Sequence, residues 1–239
     1  MCSRDSLKSV DIIALDDLSL DPPVRGFLHP PAIPGSDALV LTHGAGSDCH
    51  APLLLALAGA WAAAGCSVLR CDLPFRQERR AGPMSEPSKG RDRAGLRNAI
   101  AVMRKRVGGR VFLGGHSYGG RQASMLCAAE PDTASALLLL SYPLHPPRRP
   151  EKLRTEHLPN LRTPSLFVHG TRDPFGSIAE LENALRLIPG KMELIRVEGV
   201  GHDLGFKGKG RLDELPPRIV QAFAVLVEAR KTSSSVCPE

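Results

Sequence analysis

The sequence predicts an α/β protein: a doubly wound, mostly parallel sheet with helices on both faces. Three observations carry that prediction. Short apolar runs alternate with helical segments over most of the 239 residues. The central runs lack the every-second-residue polarity of half-exposed strands, as expected where both faces are covered. Strand–helix alternation of this kind closes into a parallel sheet through right-handed crossovers.

Taken in order, Ile12-Ile13 and Val24 to Leu28 add one or two antiparallel edge strands, and Pro30-Pro31 and Pro34-Gly35 lead into the first parallel strand, Ala38–Thr42. A helix from Pro52 to Ala64 has its proline in the first turn and stops at Gly65. The second parallel strand is Cys66–Cys71. A helix over Arg91 to Val107 carries Leu96, Ala99, Ile100, Met103 and Val107 on one face, a 3.6-residue period. Arg110–Leu113 is the third strand, and a helix from Gly119 to Glu130 ends before Pro131. Ala136–Ser141 and Ser165–His169 are the fourth and fifth strands, and Ser177 to Ile188 is a helix ended by Pro189-Gly190. Met192–Val197 is the sixth strand, and Glu214 to Arg230 turns Ile219, Val220, Phe223, Leu226 and Val227 inward. The expected organisation is one domain over residues 1–230 and a flexible tail over 231–239. Only 23 residues, 142 to 164, separate the fourth and fifth strands, too few for a large lid.

Composition narrows the function classes. A hydrophobic fraction of 42% and a charged fraction of 23% are those of a globular protein. The net charge is +6, but the basic residues are scattered, many on helix faces (Arg93, Arg97, Arg104, Lys105), and aromatic residues are too few for a base-stacking platform. No nucleic-acid partner is expected. The six cysteines show no metal-ligand spacing and read as free thiols, so neither a metal nor another cofactor is expected. The N-terminus lacks the apolar core of a signal peptide, and the longest apolar run, Ala51 to Ala64, is too short to span a bilayer. A cytoplasmic protein without a membrane partner is the expectation; the sequence leaves oligomeric state open.

The chemistry concentrates where strands end, which in open α/β sheets is where ligands bind. After the third strand, Gly115-His116-Ser117-Tyr118-Gly119 has the form of a nucleophile elbow, with Ser117 at the apex of a strand-to-helix turn. Asp173 follows the fifth strand and His202 the sixth. A serine hydroxyl is a weak nucleophile at neutral pH, so His202 is assigned to take its proton, with Asp173 fixing the imidazole tautomer. The backbone N–H groups of Tyr118 and of Ala45, in His43-Gly44-Ala45-Gly46 after the first strand, are the expected oxyanion donors. Asp203 adjoins the base in sequence and cannot easily reach its Nδ1, and Asp72 reads as structural. His116 is expected to point away from the site, His43 to brace the oxyanion loop, and the remaining histidines to be surface or packing residues. Arg148, Arg149, Lys152, Arg154, Arg162, Arg172, Arg76 and Arg79 fall at the same edge. They suggest a cationic rim for anionic substrates, with Arg76 and Arg154 the first candidates for contact.

The order Ser117, Asp173, His202, together with the elbow, resembles the α/β-hydrolase superfamily, and within it the small dienelactone-hydrolase-like proteins. A narrower resemblance is carried by Arg70-Cys71-Asp72-Leu73-Pro74-Phe75-Arg76, Gly119-Gly120-Arg121, Ser141-Tyr142-Pro143-Leu144-His145-Pro146-Pro147, Lys152 to Leu158 and Gly170 to Gly176. Those segments are similar to an uncharacterised hydrolase-like group that includes testis-expressed proteins and a domain of a chromatin-complex subunit. The elbow departs from that group's Gly-Lys/Arg-Ser-Met-Gly: His116 and Tyr118 are those of ordinary esterases. The resemblance implies an α/β-hydrolase fold and a cofactor-free serine hydrolase of carboxylic esters or related small acyl compounds. The alternative is a binding or scaffold protein on the same fold, which has no need of three matched polar partners. A nucleotide enzyme is excluded, because Gly44-Ala45-Gly46 lacks the third glycine of a dinucleotide loop and Gly208-Lys209-Gly210 completes no phosphate loop.

Overall fold

The computed structural model describes residues 11–79, 88–207 and 213–228. Eight strands form one sheet in the order β1-β2-β4-β3-β5-β6-β7-β8. They are β1 (Ile13–Asp17), β2 (Val24–His29), β3 (Ala38–Thr42), β4 (Ser67–Cys71), β5 (Val111–His116), β6 (Leu137–Leu140), β7 (Ser165–Gly170) and β8 (Met192–Val197). β1 and β2 are antiparallel additions at one edge, and from β4 to β8 every neighbour is parallel. Among the described residues six α-helices accompany them: α1 (Pro52–Ala63), α2 (Pro74–Glu78), α3 (Ser88–Arg104), α4 (Tyr118–Ala129), α5 (Ile178–Leu185) and α6 (Leu215–Glu228).

The uniformly apolar strands feed two cores at once. Val40, Leu69, Leu113, Leu139 and Phe167 pack with α3, α4 and α5 on one face. Their neighbours Leu39, Leu41, Val68, Phe112, Leu138 and Val168 pack with α1 and α6 on the other. Each face therefore sees a period of two, but both sets are apolar, so the sequence shows none.

The winding also fixes where a site can form. The chain moves from β3 to β4 in one direction along the sheet, then back past β3 to β5. Right-handed crossovers then place α1 and α3 on opposite faces. The loops leaving β3 and β5 diverge, which opens a crevice at the carboxyl ends of these adjacent strands.

Several boundaries differ from the expectation. β5 continues through Gly114 and Gly115 to His116, because extended backbone is needed up to the elbow itself. α2 was not anticipated: five residues begun by a proline are too short to show a period. The connection from β6 to β7, residues 141–164, contains only a 3₁₀ turn at Leu158–Asn160, so no lid domain is inserted there. The tail expected over 231–239 lies outside the described residues. No helix among the described residues is long and apolar enough to cross a membrane, and none of their His, Cys, Asp and Glu side chains cluster to hold a metal ion. Cys49, Cys66, Cys71 and Cys127 are free buried thiols, and burial pushes Cys49, Cys66 and Cys127 up to about 12.

Imidazoles shielded wholly or partly from water give the fold a predictable acid response. Burial lowers His29, His116 and His157 to about 4, against roughly 6.5 in an unfolded chain. Their neutral forms contribute stability that is fully present above pH 6.5 and is lost as pH falls toward 4. Unfolding takes up protons in that window, and stability should drop by about 1.4 kcal/mol per pH unit for each proton taken up. Urea unfolding between pH 7.5 and 5 measures this, and a constant free energy across the range would contradict it.

Candidate active site

The elbow is built as its glycines demand. Ser117 sits between β5 and α4 with φ 52° and ψ −116°, a backbone conformation L-residues rarely adopt. Its N–H donates to the Leu140 carbonyl of β6 at 2.8 Å, and its own carbonyl accepts the first helical bond from Arg121 N–H at 3.0 Å. A Cβ on Gly115 would come within 2.6 Å of the Gly119 backbone, and one on Gly119 within 2.5 Å of the His43 carbonyl. Neither position has room for a side chain while the turn stands.

The loops after β7 and β8 are zipped together by Thr171 N–H to Val197 O (3.0 Å), Arg172 N–H to Val200 O (2.9 Å) and Gly199 N–H to Thr171 Oγ1 (2.9 Å). That zip brings Asp173 under His202. A capping box between Ser177 and Glu180 starts α5 just beyond and bounds the Asp173 loop. His202 Nδ1–H donates to Asp173 Oδ2 at 2.8 Å, and Ser117 Oγ–H donates to His202 Nε2 at 2.8 Å. The Asp173 carboxylate is fully buried, and its Oδ1 accepts the Phe175 N–H at 2.9 Å. The three side chains assigned from sequence thus form one continuous hydrogen-bonded chain, which can carry a proton from the serine to the imidazole. Asp203 is engaged elsewhere, accepting the N–H groups of Gly205 and Lys207. Asp72 likewise holds the Cys49 N–H at 2.7 Å.

Two rings hold the His202 imidazole. Phe175 stacks on it with centroids 4.2 Å apart. His116 lies 5.0 Å away on another side and donates Nε2–H to the His202 carbonyl at 2.7 Å. His116 therefore does not point away from the site as expected: the elbow's twist turns its ring onto His202. Burial first, then the nearby His202, keeps it neutral at about 4, so it adds no competing charge. His169 is also buried and held neutral, donating Nε2–H to Gly176 O at 2.8 Å; its Nε2 lies 3.8 Å from Asp173 Oδ2.

A cavity of about 350 Å³ opens on Ser117 and His202. Ala45 and Tyr118 are both in its wall. Tyr118 is the first helical residue, so its N–H has no intrahelical acceptor. Its hydroxyl donates to the buried Asp92 at 2.7 Å, which holds the ring away from the opening. His43 braces the loop after β3, as expected: Nδ1–H donates to Gly44 O at 2.8 Å, and Nε2 accepts the Leu73 N–H at 3.1 Å. Ala51, Pro52, Leu53 and Leu54 at the start of α1, with Phe206, make an apolar wall that sequence reading missed. Only the folded chain brings those two segments together.

The cationic rim is thinner than expected. Arg148, Arg149, Lys152, Arg162 and Arg172 are solvated, and only Arg154 reaches the cavity wall, joined by Lys207. Arg76 is a correction. It is buried beneath the loop after β3, its guanidinium donating to the carbonyls of Ala45, Ser47 and Arg79, and it does not line the cavity.

Comparison with known proteins agrees with this architecture. The model of a family described as an alpha/beta hydrolase domain matches residues 35–223. Among solved structures, a dienelactone hydrolase from Anabaena variabilis is 21% identical, with 91% of this chain and 98% of that one covered and a TM-score of 0.71. Est1E from Butyrivibrio proteoclasticus is 16% identical over 90% of this chain and 99% of its own, with a TM-score of 0.69. An α/β serine hydrolase without lid from Xanthomonas campestris is 16% identical over 98% and 100%, with a TM-score of 0.64. At these identities the likeness is one of fold.

Proposed function

The chain belongs to the alpha/beta hydrolase family, and from that premise we propose that it is a serine hydrolase of carboxylic esters or related small acyl compounds. The observation that carries this reading is the chain Ser117–His202–Asp173, with both contacts at 2.8 Å, at the floor of an open cavity. Ser117 Oγ attacks the acyl carbonyl as its proton passes to His202 Nε2. The Tyr118 and Ala45 N–H groups meet the oxyanion, a charge present only in the transition state and intermediate. Collapse breaks the ester bond, and His202 returns the proton to the departing alkoxide. Water, deprotonated by His202, then attacks the acyl-enzyme and releases the carboxylic acid. Asp173 stays ionised, holding the tautomer and stabilising the imidazolium. None of these steps calls for a cofactor. Labelling with a fluorophosphonate followed by peptide mapping tests the reading; modification of Ser117 is expected, and no labelling of any serine would overturn it.

Arg154 supports a preference for acyl compounds bearing a negative charge. It is half-buried in the cavity wall, with Nη1–H on the Pro143 carbonyl at 3.3 Å. Burial, and then the neighbouring Arg121 guanidinium, lower its pKa; a substrate carboxylate would relieve both costs. A charge-assisted hydrogen bond to a charged group contributes about 1.5–3 kcal/mol, so a carboxylated ester should outrun its neutral twin by roughly ten- to a hundredfold in kcat/KM at low salt. The advantage should shrink with salt and vanish in Arg154→Gln. Equal kcat/KM for the pair at both salt levels would refute the preference.

A further inference from the structure

We infer that Arg76 is a positioning residue that holds the loop after β3 in the shape its oxyanion donor requires. The inference rests on the serine hydrolase reading above. The loop Gly44-Ala45-Gly46-Ser47 forms the cavity wall beside Ser117. It is rich in glycine, it is closed by a turn bond from Ser47 N–H to Gly44 O at 3.2 Å, and nothing packs within 4 Å of where a Gly46 side chain would stand. A loop of that composition does not hold one conformation through packing of its own.

His43 holds the loop at the Gly44 carbonyl, and Arg76 holds its far half from α2. Nη2–H donates to the Ala45 carbonyl at 2.6 Å and Nε–H to the Ser47 carbonyl at 3.1 Å. The other side of the guanidinium is anchored by Nη1–H on the Arg79 carbonyl at 3.2 Å, and the group lies over the Phe75 ring, 4.9 Å from its centroid. Phe75 is itself fixed, its N–H donating to Asp92 Oδ1 at 3.0 Å. Arg76 is only 8% exposed, so water competes little for these bonds. The planar fork grips two carbonyls two residues apart and so fixes the Ala45–Gly46 and Ser47–Asp48 peptide planes. The first is joined through the Ala45 Cα to the peptide that carries the Ala45 N–H, which limits how far that N–H can turn. A lysine ammonium, a point donor on a flexible stem, cannot reproduce both grips. An oxyanion donor works only if it is aimed before charge develops, so loosening the loop should cost turnover and leave substrate binding almost untouched.

The test is Arg76→Met, which keeps the apolar stem and removes every donor. With an aryl ester, kcat should fall about 30- to 100-fold while KM moves less than about threefold. Affinity for phenylboronic acid should fall by the same factor as kcat. In that adduct Ser117 Oγ bonds to boron, its proton passes to His202, and a boronate oxygen takes the oxyanion's place. The pH at which activity rises should not move, because His202 and Asp173 are untouched; a general loss of structure would shift it and raise KM. If Arg76→Met does not fold, Arg76→Lys is expected to fold with an intermediate loss in kcat, and ethylguanidinium should restore turnover to Arg76→Ala. A folded Arg76→Met or Arg76→Lys with wild-type kcat and boronate affinity overturns the inference alone, provided fluorophosphonate labels Ser117 in the wild type. Wild-type protein that does not label overturns the hydrolase reading and this inference with it.

Discussion

Replacing Ser117 with alanine is expected to lower ester hydrolysis by on the order of 10⁴-fold or more and to abolish fluorophosphonate labelling, with the fold intact. The size follows from the covalent route: without Oγ there is no acyl-enzyme, and what survives is water attacking a substrate bound near two oxyanion donors. The fold should survive because the elbow is held by backbone bonds and close glycine packing, not by the hydroxyl. Alanine inherits the same strained φ of 52° and loses one hydrogen bond to His202. Circular dichroism and thermal unfolding should therefore match wild type while kcat/KM collapses. Turnover in the folded variant close to wild type would move the nucleophile elsewhere; Ser124, the other serine hydrogen-bonded to an imidazole among the described residues, already donates to the Arg121 carbonyl and is a structural partner of His157.

Asp173→Asn should cost nearly as much, on the order of 10⁴-fold, and for a reason legible in the hydrogen bonds. One carboxylate oxygen accepts the Phe175 N–H and the other accepts His202 Nδ1–H. An asparagine has a single carbonyl oxygen to offer. If that oxygen stays with Phe175, the amide NH₂ faces Nδ1, which must then accept, and the ring proton moves to Nε2. In that tautomer His202 cannot take the serine proton. Shape is conserved, so thermal unfolding should change little while kcat falls. Asp203→Asn serves as the comparison, because both Asp203 oxygens are occupied by backbone N–H groups of its own loop. A loss greater than that of Asp173→Asn would identify Asp203 as the working acid instead.

How much of this was legible in the sequence differs from element to element. β3 and β8 appear in the structure over the ranges the sequence indicated, and the two antiparallel edge strands are present. Long periodic segments such as α3 announce themselves through one apolar face, Leu96, Ala99, Ile100 and Met103. The short α2 does not, and it carries Arg76. Nor does the sequence show that Arg70 is buried in β4; its Nε–H donates to His29 Nε2 at 2.7 Å, a partner 41 residues away.

The sequence by itself determined the winding of the sheet, the elbow at Ser117 and the order of the serine, acid and histidine. These follow from local rules: strand and helix periods, glycines flanking a strained turn, and ligand loops at strand ends. Tertiary structure alone decided what surrounds them. It turned His116 onto His202, set Phe175 against the same ring, and joined α1 to Phe206 in one apolar wall. It also separated two arginines that read alike as rim cations, sending Arg154 to the cavity and Arg76 to the carbonyls beneath it. The physical reason is that a long, flexible cation at a strand end has two outlets of comparable worth, a substrate anion or a bare carbonyl. Which it takes depends on the distance to groups thirty residues away in the chain, and that distance exists only once the chain has folded.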